Sequence, residues 1–196
     1  MGRPLSFDRQ TVLDRAMQVF WRQGYDTTSV NTLLSEMQIQ RSSFYHAWQD
    51  KRSLFLQVLD RYGARSLARI RAAQNALTPE ALRTFVGRMI LGEAGEPCRE
   101  GCLLVNTVLE QSGVDEELAA CARAHLARNQ AAFADWIAAM QAAGTLADDP
   151  DAQRRARSLM CLVKGARVMA REGESRQAIQ SVIDDFFRCW TAPSSS

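Results

Sequence analysis

Apolar residues recur along this chain at helical spacing, three and four apart, almost from end to end. Leu13, Ala16, Met17 and Phe20 make the first stripe. Asp8 stands before it as an N-cap, Phe7 and Val12 have the spacing of a hydrophobic staple, and Gly24 closes it. Leu33, Leu34 and Met37 make the second, with Thr28 or Ser29 as its cap. Ile39 falls in a connection, and Phe44, Ala47 and Trp48 form a short third stripe. A long helix then runs from Lys51 to about Ala76 on Leu54, Phe55, Val58, Leu59, Tyr62, Leu67 and Ile70. Thr78-Pro79 marks a new start, since proline is tolerated in a first helical turn. Phe85, Val86, Met89 and Ile90 follow, until Gly92 to Pro97 breaks the pattern. Further helical stretches are expected at about 102–111, 115–143, 150–171 and 175–190, punctuated by Gly113, Gly144 and Pro150. The pattern predicts an all-α protein. Its expected parts are a three-helix head over 1–52, a helical regulatory and dimerisation domain over 53–190, and a polar, disordered tail over 191–196.

Residues 28–51 carry the most information. A short helix, a tight turn and a second short helix are the parts of a helix-turn-helix, and the second helix opens on Gln40, Arg41, Ser42 and Ser43 with no large apolar group among them. Such a face suits the major groove: arginine forks onto guanine, glutamine onto adenine, and serine hydroxyls approach base edges or phosphates without a clash. Thr28 and Ser29 at the start of the preceding helix, with Tyr45, His46 and Lys51, are expected at phosphates. Two amphipathic helices joined by a turn also describe an ordinary hairpin with a wet polar face. On that alternative the chain is a helical protein-interaction module without DNA binding.

Gly24-Tyr25, Thr28-Ser29, Phe44-Tyr45-His46-Ala47-Trp48 and Asp50-Lys51 with Leu54-Phe55 resemble the N-terminal domain of the tetracycline-repressor (TetR) family of bacterial regulators. The match covers about the first third of the chain. It implies a regulator, more often a repressor, that binds a palindromic operator on double-stranded DNA as a homodimer and is released by a small-molecule inducer. It also implies that Tyr45 and Lys51 touch the DNA backbone. The chain departs from the family pattern at Met37-Gln38, where a small residue and then glycine are usual, and at Trp48, where phenylalanine is usual. Gly101-Cys102-Leu103 resembles a branch of the family in which some members sense electrophiles or oxidants through such a cysteine.

Charge adds little. Residues 1–65 hold nine Lys/Arg against six Asp/Glu, and the remainder fifteen against sixteen, so the head is the basic part by a small margin. Five cysteines at irregular spacing argue against a disulfide framework and for a reducing compartment, and no run is long and apolar enough for a membrane span, so a cytoplasmic protein is expected. Catalysis is not expected: a glycine-rich phosphate loop and a nucleophile elbow are both missing, and the chain has two histidines. Nor is a cofactor. Cys98, Cys102, Cys121 and His125 invite comparison with a zinc set, but the first pair straddles Gly101, so no metal is expected. Cys121 reads as core and His125 as surface.

Cys102 opens an apolar helix, where the helix dipole lowers a thiol pKa, and is the candidate sensor; a buried inert thiol is the alternative. An inducer pocket is expected among Phe85, Met89, Leu103, Val105, Phe133, Trp136 and Met140, residues that serve equally as solid core. The last helix carries Ile179, Val182, Ile183, Phe186, Phe187 and Trp190. The one before it carries Leu159, Val163 and Ala166. Two copies of this pair are expected to make a four-helix dimer interface, unless the stripe packs within its own chain.

Overall fold

The computed structural model describes residues 8–92 and 100–191, and among them there are nine α-helices and no strand. In chain order they are α1 (Arg9–Gln23), α2 (Val30–Met37), α3 (Arg41–Trp48), α4 (Lys51–Ala73), α5 (Pro79–Leu91), α6 (Leu103–Gln111), α7 (Glu116–Ala142), α8 (Ala152–Glu172) and α9 (Arg176–Thr191). The all-α expectation holds, and the caps explain most boundaries. Asp8 accepts from the amides of Gln10 and Thr11, and Ser29, Thr78 and Asp151 each accept from an amide three residues on. Gly24, Gly92 and Gly173 end α1, α5 and α8 at positive φ, where a Cβ is unfavourable. Helix α4 stops at Ala73, three residues short of the expected end, and the Gln74 carboxamide instead donates to the carbonyl of Ala132. Phe7, Cys98 and the 192–196 tail lie outside the described residues.

The described residues fall into two compact units, 8–65 with 103–126, and 66–92 with 100–102 and 127–191. The unit that holds the head therefore reaches past residue 52 to include the first half of α4, all of α6 and the start of α7. Its core is aromatic. Phe20, Leu33, Met37, Phe44, Trp48, Leu54 and Phe55 are buried, with Phe55 4.6 Å from Phe20 and 4.8 Å from Tyr25 between ring centroids. Each such side chain contributes about 1.5–3 kcal/mol by leaving water. Polar ties frame this core. Glu110 of α6 accepts from the Tyr25 amide, and a Cβ at Gly24 would lie 2.8 Å from the same carboxylate. Arg52 forks onto Asp115 at 2.5 and 3.0 Å and reaches Glu117 at 2.6 Å.

Arg61 forks in the same way onto Asp14, at 2.7 Å for both bonds, and Arg65 adds a third contact at 2.6 Å. The Arg61 hydrogen bonds hold the Asp14 carboxyl below its ordinary value. A carboxylate with a depressed native pKa stabilises the fold above its unfolded pKa, and the contribution disappears as pH falls through the lowered value. Asp14→Asn should therefore lower the melting temperature at neutral pH, and the gap from wild type should close as pH drops below 3.8. Thermal denaturation across a pH series checks this; a gap that persists undiminished at low pH would assign the loss to something other than the ion pair.

In the second unit α5, α8 and α9 pack against one another, with the second half of α7 completing the core. Phe133, Trp136 and Met140 of α7 are fully buried here. Phe85 packs edge-on to Phe133 and Trp136 at 6.2 and 5.6 Å, and the Trp136 indole donates to the carbonyl of Ala76. Phe85, Phe133, Trp136 and Met140 are packed against one another in this unit, and Leu103 and Val105 lie in the other. An open pocket of about 220 Å³ lies beside Pro79, Glu80, Arg83, Asp184, Phe187 and Arg188. Arg155 is buried too. Its guanidinium donates to the carbonyls of Ala147, Asp149 and Pro150 and lies 5.2 Å from the Trp190 ring centroid, and desolvation pulls its pKa down.

The stripe expected at a dimer interface is largely internal. Leu159, Val163, Ala166, Ile179, Ile183, Phe187 and Trp190 are all at most 9% exposed within a single chain. The reason is that α9 lies against both α5 and α8, so it can bury a wider face than one helix contact would use. Val182, at 37%, and the half-buried Phe186 are what α9 leaves outside.

Candidate nucleic-acid interface

Helix α2 ends and α3 begins within three residues, and the backbone of that turn aims α3. Gln38 takes the left-handed conformation, φ 57° and ψ 44°. Its amide bonds to the carbonyl of Ser35, and the Ile39 amide reaches back to Leu34. That pair of bonds is the Schellman arrangement, usually built on glycine, because a side chain at left-handed φ costs about 1 kcal/mol. The cost is partly offset across the head. Arg15 of α1 donates to the Gln38 side chain at 2.7 Å and to the Met37 carbonyl at 3.3 Å, so the glutamine that departs from the family pattern is also a tie between α1 and the turn.

Trp48, the second departure, is likewise accounted for. It is buried, its indole N–H donates to Gln57 at 3.1 Å, and Gln57 also accepts from Arg9, whose guanidinium lies 5.6 Å from the Trp48 ring centroid. A phenylalanine needs no such partner. Phe44 and Trp48 together anchor α3 and leave its other side outward. There Gln40, Arg41, Ser42, Tyr45 and His46 are exposed and Ser43 is partly so, with Tyr45 at 43% standing proud of the Phe44 ring it touches. Arg41 is not loose on this face. Its guanidinium donates to Asn31 of α2 at 2.5 Å, a partner that spacing alone did not single out.

Two expected phosphate ligands are placed differently. Thr28 is 1% exposed and its hydroxyl donates to the Gly24 carbonyl at 2.5 Å, so the cap of α2 is Ser29 alone, with its hydroxyl accepting from the Thr32 amide. Lys51 donates to the carbonyls of Tyr25 and Thr28 at 2.9 and 3.0 Å and sits 4.3 Å from the Tyr25 ring centroid. Two of its three N–H donors are thus engaged inside the head, tying the α1–α2 connection to the start of α4. Asp50 caps that start, accepting from the Ser53 amide at 2.6 Å, a bond that lowers its pKa.

Cys102 immediately precedes α6 and is partly exposed. Cys121 and His125 reverse their expected places. His125 is 5% exposed and Cys121 is the more open of the two, because the imidazole turns in against α4.

A helix-turn-helix held on a three-helix head, with an outward polar face on its second helix, defines the class of DNA-binding proteins that read duplex DNA through one helix. The family description "Bacterial regulatory proteins, tetR family" matches residues 12–58, and "Tetracyclin repressor-like, C-terminal domain" matches residues 78–186, more than half of the chain. The chain belongs to the TetR family of bacterial transcriptional regulators. It is 27% identical over 192 residues to the HTH-type transcriptional repressor ComR of Escherichia coli K12, covering 96% of this chain and 91% of that one. It also resembles a cysteine-substituted form of the TetR-family regulator CifR solved in complex with a 26-base-pair operator duplex. That likeness has 28% identity and a TM-score of 0.81, over 96% of this chain and 100% of that one. The reduced form of Escherichia coli NemR shares the fold, with a TM-score of 0.84 at 17% identity over 94% and 98% of the two chains. The protein is accordingly a DNA-binding transcriptional regulator and not an enzyme, and the interaction-module alternative falls away. No helix among the described residues is long and apolar enough to cross a membrane.

Proposed function

We propose that this chain is a repressor that binds a palindromic operator as a homodimer, with α3 in the major groove, and that a small molecule or reactive electrophile releases it. The observation that carries the reading is the division of α3 into an anchored apolar side, Phe44 and Trp48, and an exposed polar side that begins at Arg41. On this reading Gln40, Arg41, Ser42 and Ser43 meet base edges, while Ser29, Tyr45 and His46 meet phosphates. One such helix reads too few base pairs to specify a site, which is the physical argument for a second copy. The surface offered for the two-fold contact is the outer side of α8 and α9, where Val168 (47% exposed), Val182 and Phe186 remain uncovered. ComR, by its name, is a repressor, which supports that direction of control. Cys102 is the thiol we assign to an electrophile, since it is partly exposed and stands at the start of α6. Selection of bound duplexes from a random pool tests the reading. It should enrich an inverted repeat whose half-site centres lie about 34–36 Å apart, and enrichment of no sequence over the starting pool would overturn it.

A further inference from the structure

Asp60 on α4 and Cys121 and His125 on α7 bring one carboxylate, one thiol and one imidazole together within a single unit of the fold. We propose that these residues form a binding site for a divalent cation of the zinc class, a site separate from the DNA-reading face. Cys121 and His125 are four apart and so share one side of α7. The carboxylate Oδ1 of Asp60 lies 2.9 Å from His125 Nε2 and 3.8 Å from the Cys121 sulfur, and the ligand atoms all lie within 4.8 Å of one another. Around a tetrahedral zinc ion, with bonds of about 2.0–2.3 Å, neighbouring ligand atoms stand roughly 3.3–3.6 Å apart. Oxygen and nitrogen therefore need to part by a few tenths of an ångström, and the sulfur to close by about 0.3 Å on the oxygen and by up to about 1.2 Å on the nitrogen, to admit the ion. Sulfur, nitrogen and oxygen donors are the set that zinc accepts, and three protein ligands leave a fourth position for water.

A second feature fixes the site's least adaptable member. The His125 ring is buried against the α4 backbone at Gly63, one turn beyond Asp60. A Cβ at Gly63 would fall 2.2 Å from the ring Nδ1 and 2.3 Å from its Cγ. Glycine is less favourable than alanine inside a helix, and here it makes room for the imidazole. Rigid histidine on one side is matched by access on the other: the Asp60 side chain is 68% exposed, so an ion enters and sheds water from that edge. On binding, the Cys121 thiol releases its proton to solvent and the sulfur–metal bond forms in its place.

Cobalt(II) titration of the reduced, metal-stripped full-length protein tests this without any operator, so its outcome stands apart from the DNA-binding reading. One equivalent per chain should produce a sulfur-to-cobalt charge-transfer band and the visible d–d bands of a tetrahedral ion, both bleached by zinc. Cys121→Ser should abolish the charge-transfer band. Asp60→Asn, at an exposed position and verified as folded by circular dichroism, should weaken binding by roughly tenfold or more, the least loss expected for a direct ligand. Absence of the band in the wild-type protein, its survival in Cys121→Ser, or an unchanged affinity in Asp60→Asn would each overturn the site as drawn and leave an Asp60–His125 hydrogen bond.

Discussion

Arg41→Ala is expected to weaken binding to the selected operator by roughly 1–3 kcal/mol and to relax base preference at one position in each half-site, while leaving non-specific affinity nearly unchanged. Arg41 is the first residue of α3, is exposed, and is restrained by Asn31, so its fork is oriented before DNA arrives. A pre-oriented donor loses less freedom on binding, which concentrates the effect of its removal in specific contacts. Lys51→Ala provides the contrast. Its ammonium holds two backbone carbonyls inside the head, so its loss should appear first as a destabilisation of roughly 1–3 kcal/mol in thermal or urea denaturation. Anisotropy titrations on the operator and on a shuffled duplex measure the Arg41 effect. Equal affinities of wild type and Arg41→Ala for both duplexes would remove Arg41 from the base-reading set.

The larger effect is expected from Phe186→Glu. At a two-fold contact it places a carboxylate and its copy in an apolar interface, which costs several kcal/mol and disfavours the dimer. Operator binding should fall with it, since a single head retains only one half-site. Within its own chain Phe186 is half-buried and touches Phe187 and Trp190 at 5.5 and 5.3 Å, so the variant monomer should still fold. Phe187→Glu serves as the internal control. At 3% exposure it belongs to the core between α5, α8 and α9, and the same charge there should unfold that unit. Sedimentation equilibrium separates the cases. A Phe186→Glu protein that remains dimeric would move the interface elsewhere.

Much of this was legible in the sequence because helical periodicity and capping chemistry are local. The stripe Phe44 and Trp48, the Asp8, Ser29 and Thr78 caps and the glycine stops all follow from residues a few positions apart. What was not legible depended on partners far along the chain. Nothing near Lys51 reveals that it closes on Tyr25 and Thr28, and nothing near Arg41 reveals Asn31. The α9 stripe shows its width in sequence but not that α5 and α8 both lie against it. The burial of His125, expected at the surface, is equally remote in origin. Only Gly63, 62 residues earlier, makes its burial possible. A helical glycine with no turn to serve was the available signal.

The tryptophans carry a consequence for experiment. Trp21 and Trp48 belong to the unit that contains the head, and Trp136 and Trp190 to the other. Trp48 and Trp136 are both buried with indole N–H bonds satisfied by protein, the first by a carboxamide and the second by a backbone carbonyl. Each unit therefore contains a native fluorophore that shifts to longer wavelength when water reaches it. Variants that keep one indole at a time can report whether the two units melt in a single transition or in succession, with no label attached.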